Sequence, residues 1–138
     1  MLESTGVVSI LIPLVKNIVL VMCGGSLGAA TRYGVSLLAA NAWGTHFPWG
    51  TLLVNLIGCF LIGLIFSLAD RIWLVTPGVR LLLVTGFLGG MTTFSSYALE
   101  TVSASLSGFA LQPVLNIVLN NMGGLIFTLF GIWLGSPK

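Results

Sequence analysis

Charged residues are scarce in this chain of 138 residues: five are basic, three are acidic, and together they make up 6% of the sequence. A soluble domain carries about 25% charged residues, so the chain lacks the polar surface that a soluble globule needs. No charge lies between Arg32 and Asp70 or between Glu100 and Lys138. Soluble enzymes, nucleic-acid-binding proteins and disordered chains are therefore disfavoured. With 57% hydrophobic residues, the composition indicates an integral membrane protein surrounded by lipid.

Residues that bind metals or act as nucleophiles are nearly as rare. There is one histidine, His46, and the two cysteines, Cys23 and Cys59, lie within apolar runs. A zinc site needs about four Cys, His or carboxylate ligands, which these residues cannot supply. We interpret the cysteines as small packing residues and His46 as an ordinary residue of an interfacial loop. Since no Ser/His, Asp/Asp or metal-ligand set falls within the apolar runs, we do not expect an enzyme.

Four apolar runs are long enough to cross a bilayer, which takes about 20 residues of helix. The pattern predicts an all-α membrane protein, a single domain over residues 1–138. We place its spans at 14–39, 48–69, 79–107 and 112–135. The preceding residues are expected to form a short interfacial lead-in that ends at Pro13, and without a basic start they do not resemble a cleaved signal peptide.

An even number of spans puts both termini on one side of the membrane. Lys16, Arg71, Arg80 and Lys138 then share that side, and only Arg32 lies near the other. This bias of about three charges favours cytoplasmic termini. Because four packed helices fill their own centre, transport would require a homo-oligomer or a path along a helix interface.

The first two spans combine small residues with isolated polar ones. Gly24 and Gly28 form a small-xxx-small pair, which lets helix backbones approach closely in lipid. Arg32 either extends to the interface or faces water, an anion or carbonyl groups. In the second span Thr51 and Asn55 lie on one helix face. The buried amide of Asn55 must find partners, either as a link between helices or as a donor to a permeating ligand.

The third span contains GFLGGMTTFSSYALE, whose glycines, threonines and serines make a weak helix in mid-membrane. We predict a helix break over Gly89 to Thr92, near the midplane. A break at that depth is tolerated only where protein, water or an ion satisfies the backbone. The carbonyl groups that end the first half suit a cation, and the N–H groups that begin the second half suit an anion.

Aromatic and polar residues follow this break. Phe94 and Tyr97 lie on one helix face, and aromatic rings carry a positive edge, so their edges could hold a small anion in a narrow path. Core packing is the alternative for these rings. Glu100 lies one turn beyond Ser96, which leaves a proton-coupled role open.

The fourth span places Asn116 and Asn120 one turn apart, with Asn121 beside them. Three amides in one apolar helix exceed what helix association usually requires. Together with Asn55 they form a set of neutral hydrogen-bond donors. Such donors in a narrow passage suit a small, hard anion, which a strongly charged site would hold too tightly to conduct.

In combination, three motifs make the sequence resemble the Fluc/CrcB family of fluoride channels along almost its whole length after the lead-in. They are GxxGAxxRY in the first span, GTLxVNxxGxF in the second, and GGxTTFS followed by Glu100 in the third. The resemblance implies a passive, fluoride-selective channel. It also implies an antiparallel, dual-topology homodimer with two pores, in a cell membrane that we expect to be the bacterial inner membrane.

The resemblance also implies which residues contact the ion. Family pore positions correspond here to Asn55, Phe94, Tyr97, Ser96, Thr51, Asn116, Asn120, Arg32 and Glu100. A structural sodium ion at the dimer interface would be bound by the backbone carbonyls of Gly89 and Thr92 from each protomer. The family usually has a phenylalanine where this chain has Tyr97, and dual insertion requires a charge bias near zero.

Two other functions remain as alternatives. A small four-span multidrug exporter would need a membrane-embedded carboxylate in the first span, where this chain has none. A non-transporting assembly subunit would use its asparagines and glycines only for helix association, and alanine at the asparagines would then destabilise the dimer without a selective loss of ion flux.

Overall fold

The computed structural model describes residues 2–69 and 76–137, with side chains from residue 11 onward. Within these ranges the chain is helical apart from short connectors and contains no strand. The helices are α1 (Leu2–Trp43), α2 (Trp49–Ala69), α3 (residues 77–91), α4 (Phe94–Leu106) and α5 (Leu111–Gly135). Two of them contain wider π-helical stretches, Leu81–Leu88 in α3 and Leu119–Gly123 in α5.

Four helical stretches in the described ranges are long and apolar enough to cross a membrane: α1 from Leu11, α2, α3 with α4, and α5. The prediction of a four-span, all-helical membrane protein is confirmed at this level. The mean hydropathy is 2.5 for α2 but 1.2 for the stretch formed by α3 and α4. The third span therefore carries the most polar part of the membrane interior, as its sequence indicates.

The start of the chain differs from the prediction. Pro13 does not end a separate lead-in, because α1 is one helix of 42 residues with this proline inside it. In lipid-embedded helices a proline is tolerated when the backbone groups that it frees find other partners. At 1.5 Å per residue α1 is about 63 Å long, roughly twice the thickness of a hydrocarbon core.

Some of the residues on which the predicted orientation depends lie outside the described ranges. Asp70, Arg71 and Trp73 of the second connector lie there, as does Lys138. The preferred orientation of the protein therefore stays a prediction.

Helices α1 and α3 pack with their backbones in contact. A methyl group on Gly24 would overlap the carbonyl oxygen of Leu82, and one on Gly28 would overlap that of Phe87. From the other side, a methyl group on Gly90 would face the backbone of α1. The prediction that Gly24 and Gly28 serve close helix packing is confirmed.

Helices α2 and α5 form a second close pair. A methyl group on Gly63 would overlap the carbonyl oxygen of Thr128, and one on Gly131 would overlap that of Phe60. Small residues on both helices thus allow an approach that dispersion and backbone contacts stabilise in lipid.

A small apolar core lies where the two helix pairs meet. It consists of Val54, Leu88 and Met91, with four partly buried residues around it: Val35, Leu61, Ile65 and Phe87. Most other large apolar side chains of the described residues are exposed on the single chain. Such a surface is suited to lipid or to a second copy rather than to water.

Two extended residues separate α3 from α4. Thr92 has φ −78° and ψ 153°, and Thr93 has φ −151° and ψ 121°. Gly89 to Met91, which the sequence places within the interruption, are still helical. The non-helical residues are therefore the two threonines that follow the glycines.

Candidate functional site

The side chain of Asn55 on α2 holds the interruption between α3 and α4. Its Oδ1 accepts a hydrogen bond from the Thr93 amide at 2.9 Å, and its Nδ2 donates to the Thr93 carbonyl at 3.2 Å. In a continuous helix the Thr93 amide would donate to the carbonyl of Gly89. Asn55 therefore replaces the backbone partners that the interruption removes, and the expectation that its amide is hydrogen-bonded is confirmed.

A row of amides continues from Asn55 into α5. Asn55 Nδ2 also donates to Asn120 Oδ1 at 2.9 Å, and Asn120 Nδ2 donates to Asn116 Oδ1 at 2.8 Å. Asn116 is 1% exposed, and its Nδ2 donates to Thr101 Oγ1 on α4 at 2.8 Å. The structure thus brings the three predicted amides together, with their N–H groups directed at protein acceptors.

The first turn of α4 is capped by Thr93. Its Oγ1 accepts from the Ser96 amide at 3.2 Å and donates to Ser96 Oγ at 3.2 Å. Thr93 is therefore the N-cap residue, a role for which threonine is suited. The amides of Phe94 and Ser95 precede the first intrahelical hydrogen bond, at the positive end of the helix dipole.

Two aromatic rings stand beside this helix start. The ring centroids of Phe94 and Tyr97 are 5.5 Å apart, with planes tilted by 60°. The phenol oxygen of Tyr97 accepts a hydrogen bond from Asn121 Nδ2 at 2.9 Å. Phe94 is 77% exposed on the single chain, so its ring is available to a ligand or a second chain.

These groups surround an open cavity of about 370 Å³, which we call the central cavity. Much of its described lining is apolar, including Ile62, Val84 and Leu88; the rest consists of amides, hydroxyl groups and backbone, and no charged side chain lines it. The polar residues of the lining are Asn55, Thr92, Thr93, Tyr97, Asn120 and Asn121. Gly89 and Phe94 also line it. The cavity can therefore offer neutral donors and carbonyl oxygens to a small ion.

A second cavity of about 450 Å³ lies beside the connector between α1 and α2, and we call it the outer cavity. Thr51 and Glu100 line it together. Thr51 Oγ1 donates to Glu100 Oε1 at 2.7 Å, while Glu100 Oε2 is buried and has no partner among the described residues. Thr51 and Asn55 lie one turn apart on α2, so this helix lines both cavities.

The remaining predicted site residue is Arg32. Its Nε is buried without a hydrogen-bond partner among the described residues, and it lines neither cavity. The structure therefore does not bring Arg32 together with the other predicted residues.

Two polar residues of the site, Thr93 and Thr101, have no role of their own in the sequence-based prediction, and Asn121 appears there only as a further amide of the donor set. Thr93 was detectable, because a threonine followed by a helical stretch is an N-cap pattern. Asn121 is next to the predicted Asn120, but its contact with Tyr97 depends on how α4 and α5 pack. For Thr101 the sequence carries no signal.

Comparison with known proteins identifies one family and a set of relatives that share one name. A family model described as "CrcB-like protein, Camphor Resistance (CrcB)" matches residues 19–132. A Chloroflexus aurantiacus protein named "Fluoride-specific ion channel FluC" is 42% identical over 120 residues, 87% of this chain and 95% of its own length. Proteins of the same name from Legionella pneumophila (strain Paris) and Leptospira interrogans are 45% and 39% identical. The Legionella match covers 80% of this chain and 83% of the relative, and the Leptospira match covers 86% and 94%.

Proposed function

The chain belongs to the CrcB-like family, and we propose that it is a passive channel selective for fluoride. The printed name of the relatives, fluoride-specific ion channel, supports this function. It is also supported by the absence of a charged side chain from the described lining of the central cavity. Because conduction requires that an ion both enter and leave easily, a neutral site suits a channel better than a charged one.

Fluoride would bind where α4 begins. The amides of Phe94 and Ser95 lie at the positive end of the helix dipole, and such ends stabilise anions. The positive edge of the Phe94 ring adds a second attraction. Asn55 is hydrogen-bonded to both the amide and the carbonyl of Thr93, so its first role would be to hold the start of α4 in position.

The amide row provides further donors along the path. Asn55, Asn120 and Asn116 each donate to a protein acceptor, and the row ends at Thr101. As the ion passes, the Nδ2 groups of Asn55 and Asn120 would donate to fluoride in place of their present protein acceptors, and both side chains stay neutral. Ser96 hydroxyl, bonded to Thr93, can rotate to donate in the same way. Selectivity would follow because these donors replace the hydration of fluoride better than that of chloride.

The outer cavity would be the vestibule of this path. Thr51 and Glu100 lie there, and Thr51 is one helical turn from Asn55 on α2. The Thr51 hydroxyl donates to Glu100 Oε1 and would hold the carboxylate in position beside this entrance. Arg32 lines neither cavity and would act on anions only through long-range attraction.

Fluoride export follows from membrane chemistry. Fluoride enters cells largely as neutral HF from acidic surroundings, ionises in the more alkaline cytoplasm and is trapped there. A passive anion path lets the negative-inside membrane potential drive fluoride outward. This places the protein in a cell membrane, for which we propose the bacterial inner membrane.

A second copy of the chain would complete the channel. The Thr92 carbonyl lies in extended backbone and cannot face lipid without cost, and Phe94 nearby is 77% exposed on the single chain. We therefore propose a homodimer that covers this face, antiparallel and of dual topology. Two such copies would enclose two pores, one along each side of the interface.

The carbonyls at the end of α3 fit a sodium ion. Because the Thr93 amide donates to Asn55, the Gly89 carbonyl loses its helical donor, and the Thr92 carbonyl lies in extended backbone. Gly89 and Thr92 both line the central cavity, and neutral carbonyl oxygens suit a hard cation. The Gly89 and Thr92 carbonyls of both protomers would hold the ion, which would stabilise the interface.

One observation favours the alternative of a non-transporting assembly subunit. The amides of Asn55, Asn116 and Asn120 are bonded to protein groups, as residues that serve only helix association would be. Alanine at these positions would then weaken the dimer and leave no ion flux to lose.

The direct test is efflux from liposomes that contain the purified protein. We expect a fluoride electrode to record rapid release when the potential is clamped with potassium and valinomycin, and vesicles loaded with chloride to retain it. Protein-free liposomes provide the baseline. Equal release of both halides, or release of neither, would reject the proposal.

A further inference from the structure

The phenol of Tyr97 meets an amide whose orientation is fixed by the backbone. Asn121 Nδ2 lies 2.8 Å from the Ile117 carbonyl oxygen and 2.9 Å from Tyr97 Oη. A carbonyl only accepts hydrogen bonds, so the nitrogen of this amide, and not its oxygen, must face Ile117. The same nitrogen then donates to Tyr97.

This contact leaves the hydroxyl hydrogen of Tyr97 available. A phenol is both donor and acceptor, and Asn121 occupies its acceptor side. Among the described residues this hydroxyl makes no hydrogen bond as a donor. The bond between Asn121 and Tyr97 is exposed on the single chain, so an acceptor that enters the cavity can reach this hydrogen.

The free hydrogen borders the central cavity. Tyr97 and Asn121 both line it, together with Asn55 and Phe94. A phenylalanine at position 97 would present only a ring edge to the same space, whereas tyrosine adds a neutral donor whose direction Asn121 constrains.

We propose that the Tyr97 hydroxyl donates a hydrogen bond to fluoride in the central cavity, with Asn121 as the residue that positions it. This inference rests on the proposed fluoride-channel function and adds a specificity determinant to it. A hydrogen bond to an ion is among the stronger ones, and its loss corresponds to an affinity change of about tenfold or more. Chloride, a weaker acceptor, gains less from the same donor.

The first experiment removes only the hydroxyl. Tyr97→Phe should raise the fluoride concentration that half-saturates efflux by about tenfold. It should also narrow the difference between the efflux rates of fluoride and chloride. The matched control is Tyr33→Phe, because Tyr33 on α1 is the second of the two tyrosines and is 68% exposed. Asn121→Leu should produce a smaller change in the same direction, since it frees the ring without deleting the donor.

The second experiment observes the hydroxyl itself. In the Tyr33→Phe protein a ¹³Cζ-tyrosine label gives one NMR signal, that of Tyr97, whose shift reports hydrogen bonding at Oη. Titration of the labelled protein in liposomes with sodium fluoride should move this signal, and sodium chloride at the same concentration should not.

The proposal requires both results. It is overturned if the half-saturating concentration is unchanged in Tyr97→Phe. It is also overturned if the ¹³Cζ signal does not shift with fluoride, or shifts equally with chloride. A defect in Tyr97→Phe with a silent ¹³Cζ signal would assign the hydroxyl a structural role only. If the unmodified protein carries no fluoride, the proposed channel function fails instead, so the two failures are distinguishable.

Discussion

Replacing Asn55 by aspartate should slow fluoride flux about 30-fold or more. The substitution keeps an oxygen that accepts from the Thr93 amide, a contact of 2.9 Å, so the start of α4 retains one of its two restraints. It removes both donations of Nδ2, to the Thr93 carbonyl and to Asn120 Oδ1. A negative oxygen then faces two acceptors.

The magnitude follows from these two contacts. Each acceptor left without its donor costs about 1–3 kcal/mol, which gives about 2–6 kcal/mol for the pair. Because 1.4 kcal/mol is a factor of ten in rate, a barrier raised by about 2–3 kcal/mol slows flux about 30- to 140-fold. The negative charge raises the barrier to an anion further.

The assay is fluoride-electrode efflux from liposomes that contain equal amounts of each variant, after size-exclusion chromatography has shown an unchanged elution volume. Asn41→Asp is the matched control, since Asn41 is exposed near the end of α1. If Asn55→Asp carries fluoride at the rate of the unmodified protein, the assignment of Asn55 to the path is wrong.

Three further substitutions test other parts of the structure. Phe94→Ile should abolish fluoride efflux without altering elution, since the ring is 77% exposed and little packing is lost; normal flux would contradict a role for the ring edge. Gly28→Ala should lower the melting temperature in detergent sharply, because its methyl group would overlap backbone of α3. The control is Gly34→Ala, which has open space around it and should stabilise the helix by up to about 1 kcal/mol. Equal changes in melting temperature for the two variants would argue against the close contact at Gly28. Thr51→Val should cost about 1 kcal/mol of unfolding free energy, because it leaves the half-buried Glu100 carboxylate without its 2.7 Å donor. An unchanged unfolding curve would show that the contact does not stabilise the protein.

The number and kind of helices were predictable because hydropathy and length are local properties of the sequence. The position of the interruption was not. The glycines at 89 and 90 lower helix propensity and suggest an earlier break, but the helix ends where Asn55 diverts the Thr93 amide. That contact comes from a residue 38 positions away, and no local pattern carries it.

The same distinction applies to the site. Residue types at helical spacing identified Asn55, Asn116 and Asn120 as a set, and the structure does bring them together. The spacing could not show that Glu100 and Thr51 line a separate cavity, since this depends on the angle at which α2 and α4 meet. The ion-binding roles of these residues stay predictions.

The length of α1 has a consequence for how this protein meets the two aqueous compartments. A helix of 42 residues is about 30 Å longer than a bilayer core is thick, and we expect part of it to stand outside the lipid as a rod. In an antiparallel pair, one such rod would project from each surface of the membrane. The assembly would then look alike to antibodies and proteases that approach from either compartment, and inside-out vesicles would be indistinguishable from right-side-out ones by this segment.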